Sequence, residues 1–216
     1  MAEMSRAEFW LLTLVAELWY PVGLLAAEYL SEILNTEQVH GLSHAELAEA
    51  MDDLFQHGDI IAKRLGSEAT FQPTRREIVT ALREEHGPHA LYYGLTAQGA
   101  ARWEAHACPD WRRYLDESFG YDPNEGEAVT STRSLLADWL ARQRDLGLET
   151  PLPGSETWDI LKPWRATYWK TLPHGHRIRF RWAEQVETYG RPDWHLGWDR
   201  RKTWWTQYLT DCYDGA

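Results

Sequence analysis

The sequence predicts an α+β protein with a mostly helical N-terminal half and a C-terminal half that combines a helix with a small antiparallel sheet rich in Trp. Three observations carry this prediction. Capping boxes of the Ser/Thr-x-x-Glu type mark three helix starts in the first half. Short apolar runs follow two of the predicted helices, and they are typical of strands. Strict alternation of apolar and basic residues over Arg177–Trp182 predicts a further strand, since a period of two does not fit a helix.

Each capping box places a hydroxyl before a helix and a Glu at its third residue, so that both ends of the box satisfy free backbone N–H groups. The three pairs are Ser5 with Glu8, Ser43 with Glu46, and Thr74 with Glu77. Together with the apolar spacing, they predict helices in this order: residues 6 to about 20, 21–34 after Pro21, 44–57, 74 to about 87, and 97–107. Strands are predicted at 59–64 and 91–96.

The second half contains two stretches that predict irregular chain. Gly120–Gly126 is rich in turn residues and is taken as the boundary between domains 1–115 and 116–216. Gly147–Glu156 contains two prolines and predicts a linker. Between them, apolar spacing predicts a helix over 131–146. Strands are predicted at 158–162, 168–172 and 177–182.

Two stretches of the first half resemble a winged helix-turn-helix domain. The Leu47–Ile60 stretch looks like the third helix of such a domain running into its first wing strand. The Tyr93–Gly99 stretch, with Leu95, Thr96 and Gly99, is similar to the "LTxxG" step from strand to helix that follows the wing. The helix predicted from Thr74 would then lie between the two wing strands, which is a departure from the family pattern. The resemblance implies either DNA binding or protein contact, because winged helices serve both.

Charge is distributed unevenly along a chain whose formal net charge is −11. Residues 1–110 contain 7 Lys and Arg against 17 Asp and Glu, whereas residues 111–216 contain 15 against 16. The chain therefore has a strongly acidic half and a nearly neutral half.

The helix after Ser43 has an apolar face and an anionic face. Its candidate protein-binding residues are Glu49, Asp52, Asp53 and Gln56. No Lys or Arg occurs between Ser43 and His57, although DNA affinity depends on cations that neutralise phosphates. The charge pattern disfavours nucleic acid and leaves two further interpretations, a solvated face or a contact for a basic protein partner.

A second candidate surface is basic and aromatic. The candidate anion-binding residues are Lys162, Arg165, Lys170, Arg177, Arg179 and Arg181. Interleaved aromatic and Arg side chains are able to stack on bases and contact phosphates. The preferred interpretation is structural: these cations are expected to pair with carboxylates elsewhere in the chain, with the acidic first half as a large source of them.

Nothing in the sequence predicts catalysis, a metal site or a cofactor. The pairs His86 with His89, His106 with Cys108, and His174 with His176 each lack a second pair of ligands at a recognisable spacing. Cys108 and Cys212 give no disulfide framework. The apolar run over 9–30 is interrupted by two Glu and a Pro, so we expect no signal peptide or membrane span and a cytoplasmic protein.

These observations predict a non-catalytic protein that binds another macromolecule, as an adaptor or an immunity-type inhibitor of a basic partner. The alternative is a DNA-binding transcriptional regulator of the winged-helix type. An enzyme of unfamiliar type is the least favoured interpretation. The oligomeric state is left open.

Overall fold

The computed structural model describes residues 4–26, 42–84, 87–121, 124–145 and 151–182. The chain forms two compact units, each of which combines helices with antiparallel strands. The first unit contains residues 1–108 and 167–169, and the second contains 109–166 and 170–216. The α+β class is confirmed. Independent folding of domains 1–115 and 116–216 stays a prediction.

The first unit builds its helices around one sheet. Its elements are α1 (Arg6–Leu14), β1 (Tyr20–Pro21), a 3-10 helix (Val22–Ala26), α2 (His44–Gln56), β2 (Ile60–Arg64), β3 (Thr70–Phe71), α3 (Arg75–Ala81), β4 (Leu91–Leu95) and α4 (Ala97–Ala107). The strands form an antiparallel sheet in the order β1-β4-β2-β3. All three predicted capping boxes are present, at the starts of α1, α2 and α3.

Three helix predictions in this unit differ from the structure. Helix α1 stops at Leu14 and not near Tyr20, because Tyr20 and Pro21 pair with Tyr93 and Tyr92 of β4. A residue before proline is also restricted to extended backbone, which ends helical conformation at Tyr20. The helix predicted over 21–34 is a short 3-10 helix as far as residue 26, and residues 27–34 lie outside the described part. Helix α3 ends at Ala81 and is followed by turns, short of the predicted Gly87.

The second unit is a sheet covered on one face by a helix. Its elements are a 3-10 helix (Trp111–Arg113), β5 (Leu115–Tyr121), β6 (Asn124–Thr130), α5 (Arg133–Asp145), β7 (Thr157–Leu161), β8 (Trp164–Arg165), β9 (Thr171–Leu172) and β10 (Gly175–Arg181). The main sheet has the order β5-β6-β10-β7, and β8 and β9 form a separate pair. Helix α5 packs its buried residues Leu136, Trp139 and Leu140 against Ala128, Ile178, Phe180 and Trp182.

The alternation predicted over Arg177–Trp182 is confirmed, since Ile178, Phe180 and Trp182 are buried. Residues 120–121 and 124–126, which were predicted as loop, instead belong to the paired strands β5 and β6. The two strands pair over seven residues, so the ladder hydrogen bonds outweigh the local turn tendency of Gly120 and Gly126. The predicted strand at 168–172 is reduced to Thr171–Leu172.

Aromatic side chains donate hydrogen bonds to backbone carbonyl groups at the C-terminal end of α1. The Tyr93 hydroxyl donates to the Leu11 carbonyl at 3.1 Å, and the Trp169 indole donates to the Ala16 carbonyl at 2.8 Å. The Tyr168 hydroxyl donates to the Val15 carbonyl at 2.8 Å and accepts from the Leu95 N–H. Helix ends leave carbonyl groups without intrahelical partners, so these side chains satisfy backbone groups that the fold removes from water.

Tyr168→Phe is expected to lower the free energy of unfolding of the first unit by about 1–3 kcal/mol, because it leaves a buried carbonyl and a buried N–H without their partner. Burial raises the pKa of the Tyr168 phenol, so the hydroxyl stays protonated and able to donate at neutral pH. Urea denaturation followed by circular dichroism measures the effect. Tyr92→Phe in β4 is the matched control, because Tyr92 is only half-buried and makes no side-chain hydrogen bond to a described residue. Equal shifts of the two midpoints would contradict the assigned role.

Candidate functional site

The acidic face of α2 is the first candidate surface, and we define it as Glu49, Asp52, Asp53 and Gln56. The opposite stripe of the helix, Leu47, Met51, Leu54 and Phe55, is almost completely buried. Burial of that stripe points the acidic face away from the core, as the helical period requires. Glu49, Asp53 and Gln56 are exposed, and Asp52 is half-buried. All four predicted residues therefore lie on one accessible side of one helix.

Few basic side chains among the described residues pair with the acidic face of α2. Glu49 has a long ion pair with Arg75, at 4.0 Å, and both side chains are more than half exposed. Such a pair contributes about 0–1 kcal/mol. Asp52 and Asp53 form no ion pair within the described part of the chain. Glu46, at the start of the helix, is held in the capping box, where hydrogen bonds from Ser43 lower its pKa.

The start of α4 is hydrogen-bonded to the turn that follows α2. Thr96 donates from its hydroxyl to the Gly58 carbonyl at 2.6 Å, and Gln98 donates from its side-chain amide to the His57 carbonyl at 2.6 Å. A Cβ atom on Gly99 would lie 1.9 Å from the Asp59 carbonyl oxygen, so only glycine allows α4 to approach this closely. The Leu95-to-Gly99 motif thus serves to lock α4 onto the end of α2.

A partly buried ionic cluster supports the same junction, and we call Glu8, Asp59 and Arg102 the ion triad. Arg102 donates to the Asp59 carboxylate at 2.5 Å and to the Glu8 carboxylate at 2.8 Å. The Asp59 side chain is 1% exposed. Burial opposes ionisation of Glu8, but hydrogen bonds from the Ser5 N–H and from Arg102 outweigh it and lower the pKa of Glu8. The triad joins the start of α1, the start of β2 and the middle of α4.

Sequence patterns did not indicate the ion triad. Glu8 was assigned to a capping box and Asp59 to the start of a strand, and nothing local pairs either with Arg102. The residues are 43 and 94 positions from Arg102 in the chain. The available signal was a carboxylate at the first residue of an apolar strand, where burial demands a partner.

The second candidate surface is the face of the main sheet opposite α5, which we call the polar sheet face. Register places Arg177, Arg179 and Arg181 of β10 on it, flanked by acidic residues. The acidic neighbours are Asp116, Glu125, Glu127 and Asp159. A cavity of about 670 Å³ opens on this face, with Ser118, Glu125, Thr157, Arg179 and Arg181 among its lining.

Ion pairs within the sheet neutralise much of the basic charge. Arg177 donates two hydrogen bonds to Asp159, at 2.8 and 2.6 Å, and lies 3.6 Å from Glu127. Arg179 lies 3.5 Å from Asp159. The Arg177 hydrogen bonds lower the pKa of Asp159. Four carboxylates against three guanidinium groups make the polar sheet face a poor anion site. Among the described residues, Arg177 and Arg179 have ion-pair partners within the sheet itself.

The other three predicted cations do not join the polar sheet face. Lys170 stacks its ammonium 5.0 Å from the Trp111 ring centroid. Arg165 is exposed in β8. Lys162 is exposed and follows directly after β7. The six residues predicted as one basic surface are therefore spread over several places in the second unit.

Comparison of the chain with models of known families, with curated proteins and with solved structures finds no match. Evidence on function therefore comes from the chain's own surfaces. Within the described residues, no helix is long and apolar enough to cross a membrane. The same residues contain no group of three or more His, Cys, Asp or Glu side chains placed to hold a metal ion.

Proposed function

We propose that the protein is a cytoplasmic, non-catalytic binding protein whose first unit contacts a protein partner through the acidic face of α2. The partner would present a basic surface, and the role would be that of an adaptor or an immunity-type inhibitor. The observation that carries the proposal is the exposed anionic side of α2, which has one long ion pair within the described residues.

The arrangement of the first unit supports a winged-helix-like module. Helix α1 leads into β1, α2 leads into β2, and β4 lies between β1 and β2 in the antiparallel sheet. Helix α3 lies in the chain between β2 and β4, the two strands that the sequence predicted on either side of it, and β3 is an additional short strand before it. In such a module α2 is the exposed helix whose side chains decide what the surface contacts.

Charge favours protein over nucleic acid as the partner. A duplex presents a dense row of phosphates and would be repelled by the carboxylates of Glu49, Asp52 and Asp53. Nearby basic residues are already engaged, since Arg64 pairs with Glu77 at 3.2 Å and Lys63 lies 4.6 Å from the Trp19 ring centroid. A basic protein surface would instead be attracted, with a faster association rate at low salt.

Reversal of two charges tests the proposal. Asp52→Lys combined with Asp53→Lys should leave the unfolding midpoint almost unchanged, because neither residue has an ion pair to lose among the described residues. Capture of the partner from an extract of the native host should fall sharply. Affinity purification with quantitative mass spectrometry measures the loss.

The control is Glu68→Lys combined with Asp138→Lys. These substitutions make the same change in net charge at two exposed carboxylates outside α2. Proteins retained by the wild type and the control but lost with the α2 variant are the expected result. Equal retention by all three proteins would exclude α2 as the recognition surface.

The alternative function is DNA-binding regulation, which the winged-helix resemblance and the exposed Gln56 at the end of α2 favour. Our proposal predicts no specific duplex binding at physiological salt. A gel shift against a library of host genomic fragments tests it. Recovery of a discrete operator, with affinity that falls steeply with salt and is lost on Gln56→Ala, would replace the proposed function with the alternative.

A further inference from the structure

One corner of the second unit brings together four basic side chains at the end of β7 and β10 where α5 begins. We define this basic corner as Arg133, Lys162, His174 and His176. His176 of β10 lies opposite Ile160 of β7 and opposite Thr130 of β6. The His174 and His176 rings are 5.6 Å apart between centroids. Lys162 follows β7 two residues after Ile160, which brings it to the same end of the strand pair.

Helix α5 begins at this corner. Arg133 is its first residue, and the guanidinium lies 5.4 Å from the ring centroid of Trp158, which pairs with Ile178 on the α5 side of the sheet. Thr132 caps the helix by accepting from the Leu135 N–H at 3.3 Å. The preceding residue, Ser131, has a buried hydroxyl oxygen without a hydrogen-bond partner among the described residues.

No carboxylate of the described residues pairs with any member of the basic corner. Asp159, the nearest acid along β7, belongs to the opposite face and is held by Arg177. The pKa of His176 is lowered, by burial first and then by the positive charges of His174, Arg133 and Lys162. At the edge of the corner, the Glu156 carboxylate accepts a hydrogen bond from the Trp158 indole at 3.2 Å. The corner has no ion pair among the described residues, in contrast to the polar sheet face.

Two neighbouring histidines also suggest a metal ion, but the other members of the corner disfavour one. A divalent cation needs a third ligand and is repelled by the fixed charges of Arg133 and Lys162. Neither difficulty applies to a negatively charged oxyanion. It is attracted by the fixed positive charges, and all four side chains can donate hydrogen bonds to it. The start of a 13-residue helix adds partial positive charge at the same place.

We propose that the basic corner binds a phosphate group. Arg133 supplies a bidentate guanidinium contact and Lys162 a point charge. His176 and His174 donate from ring N–H groups, and the start of α5 completes the set of donors. This site is separate from the acidic face of α2 and does not depend on the proposed function.

The test is an NMR titration of the full chain with inorganic phosphate, in which the ring signals of His174 and His176 are followed. The expected result is a saturable shift of both rings and a rise in the pKa of His176, since a bound anion favours the imidazolium. Sodium chloride of equal ionic strength is the reference. Ring shifts no larger than those in sodium chloride would overturn the proposal.

Arg133→Gln should weaken phosphate binding by about tenfold or more, the loss expected for a charge-assisted bidentate contact. Arg112→Gln is the matched control, because Arg112 is an exposed arginine of the same unit that pairs with Asp110. It should leave binding unchanged. Equal weakening by both variants would show that only net charge matters and would overturn the proposal.

Further titrations identify the source of the phosphate. Phosphoserine and adenosine 5′-monophosphate are compared with inorganic phosphate, and tighter binding of one of them names the class of ligand. The variant Trp158→Leu tests whether a nucleoside base adds affinity by stacking. A saturable response of the rings to Zn²⁺, with none to any phosphate, would replace the proposal with a metal site.

Discussion

Arg102→Ala is expected to lower the free energy of unfolding of the first unit by about 3–5 kcal/mol, the usual cost of removing one partner from a buried ion pair. The variant leaves the buried Asp59 carboxylate without its cation and frees Glu8 from its contact at 2.8 Å. Because the triad joins α1, β2 and α4, the loss affects the packing of three elements together.

Urea denaturation at pH 7 measures this loss, and amide hydrogen exchange shows which unit has been destabilised. Arg83→Ala is the control, since Arg83 is an exposed arginine of the same unit. The pKa of Glu8 is lower in the folded protein than in the unfolded chain. Ionised Glu8 therefore stabilises the folded protein at a pH above the usual carboxyl range, and this stabilisation is lost as the pH falls through the pKa of Glu8 in the folded protein. The difference in unfolding free energy between wild type and Arg102→Ala should accordingly shrink in acid. A loss no greater than that of Arg83→Ala would contradict the role of the triad.

Phe180→Ala is expected to cost about 3–5 kcal/mol in the second unit, because it removes a ring from the centre of the core. Phe180 is 3% exposed and lies between Trp139 and Phe119, with centroid distances of 6.1 and 6.4 Å. It also fills the space above Gly126, where a Cβ atom would lie 2.5 Å from the ring.

The loss of unfolding free energy in Phe180→Ala is to be compared with the losses in two further variants. Ser43→Ala removes a helix cap in the first unit and should cost about 1 kcal/mol. Arg179→Ala changes the neighbouring exposed position of β10 and should cost well under 1 kcal/mol, because its ion pair with Asp159 is long. Equal shifts for Phe180→Ala and Arg179→Ala would mean that β10 presents the other face to the core.

Local chemistry determined the parts of this protein that the sequence predicted well. A capping box needs only residues three positions apart, so the starts of α1, α2 and α3 could be identified from Ser5, Ser43 and Thr74. The residues of α4 were predicted as they stand, from apolar spacing after Thr96. Alternation along β10 indicated which side chains are buried, because a strand repeats every two residues.

The candidate surfaces were predicted only in part for the same reason. The acidic face of α2 follows from helical period, and its four residues do lie together on an accessible side. The six predicted cations of the second half were treated as one surface because they are close in sequence. Strand register separates them, because it pairs Arg177 with Asp159 on one face and places His176 opposite Ile160 on the other.

The sequence by itself determined the helix starts, the strand period and the acidic face of α2, because each depends on residues within a few positions of one another. Only the tertiary structure shows that Arg102 pairs with Glu8 and Asp59, and that Tyr168 and Trp169 donate hydrogen bonds to the carbonyl groups that follow α1. Those contacts join residues 43 to 153 positions apart. Their physical cause is burial, which makes an unpaired charge or carbonyl costly wherever its partner lies in the chain.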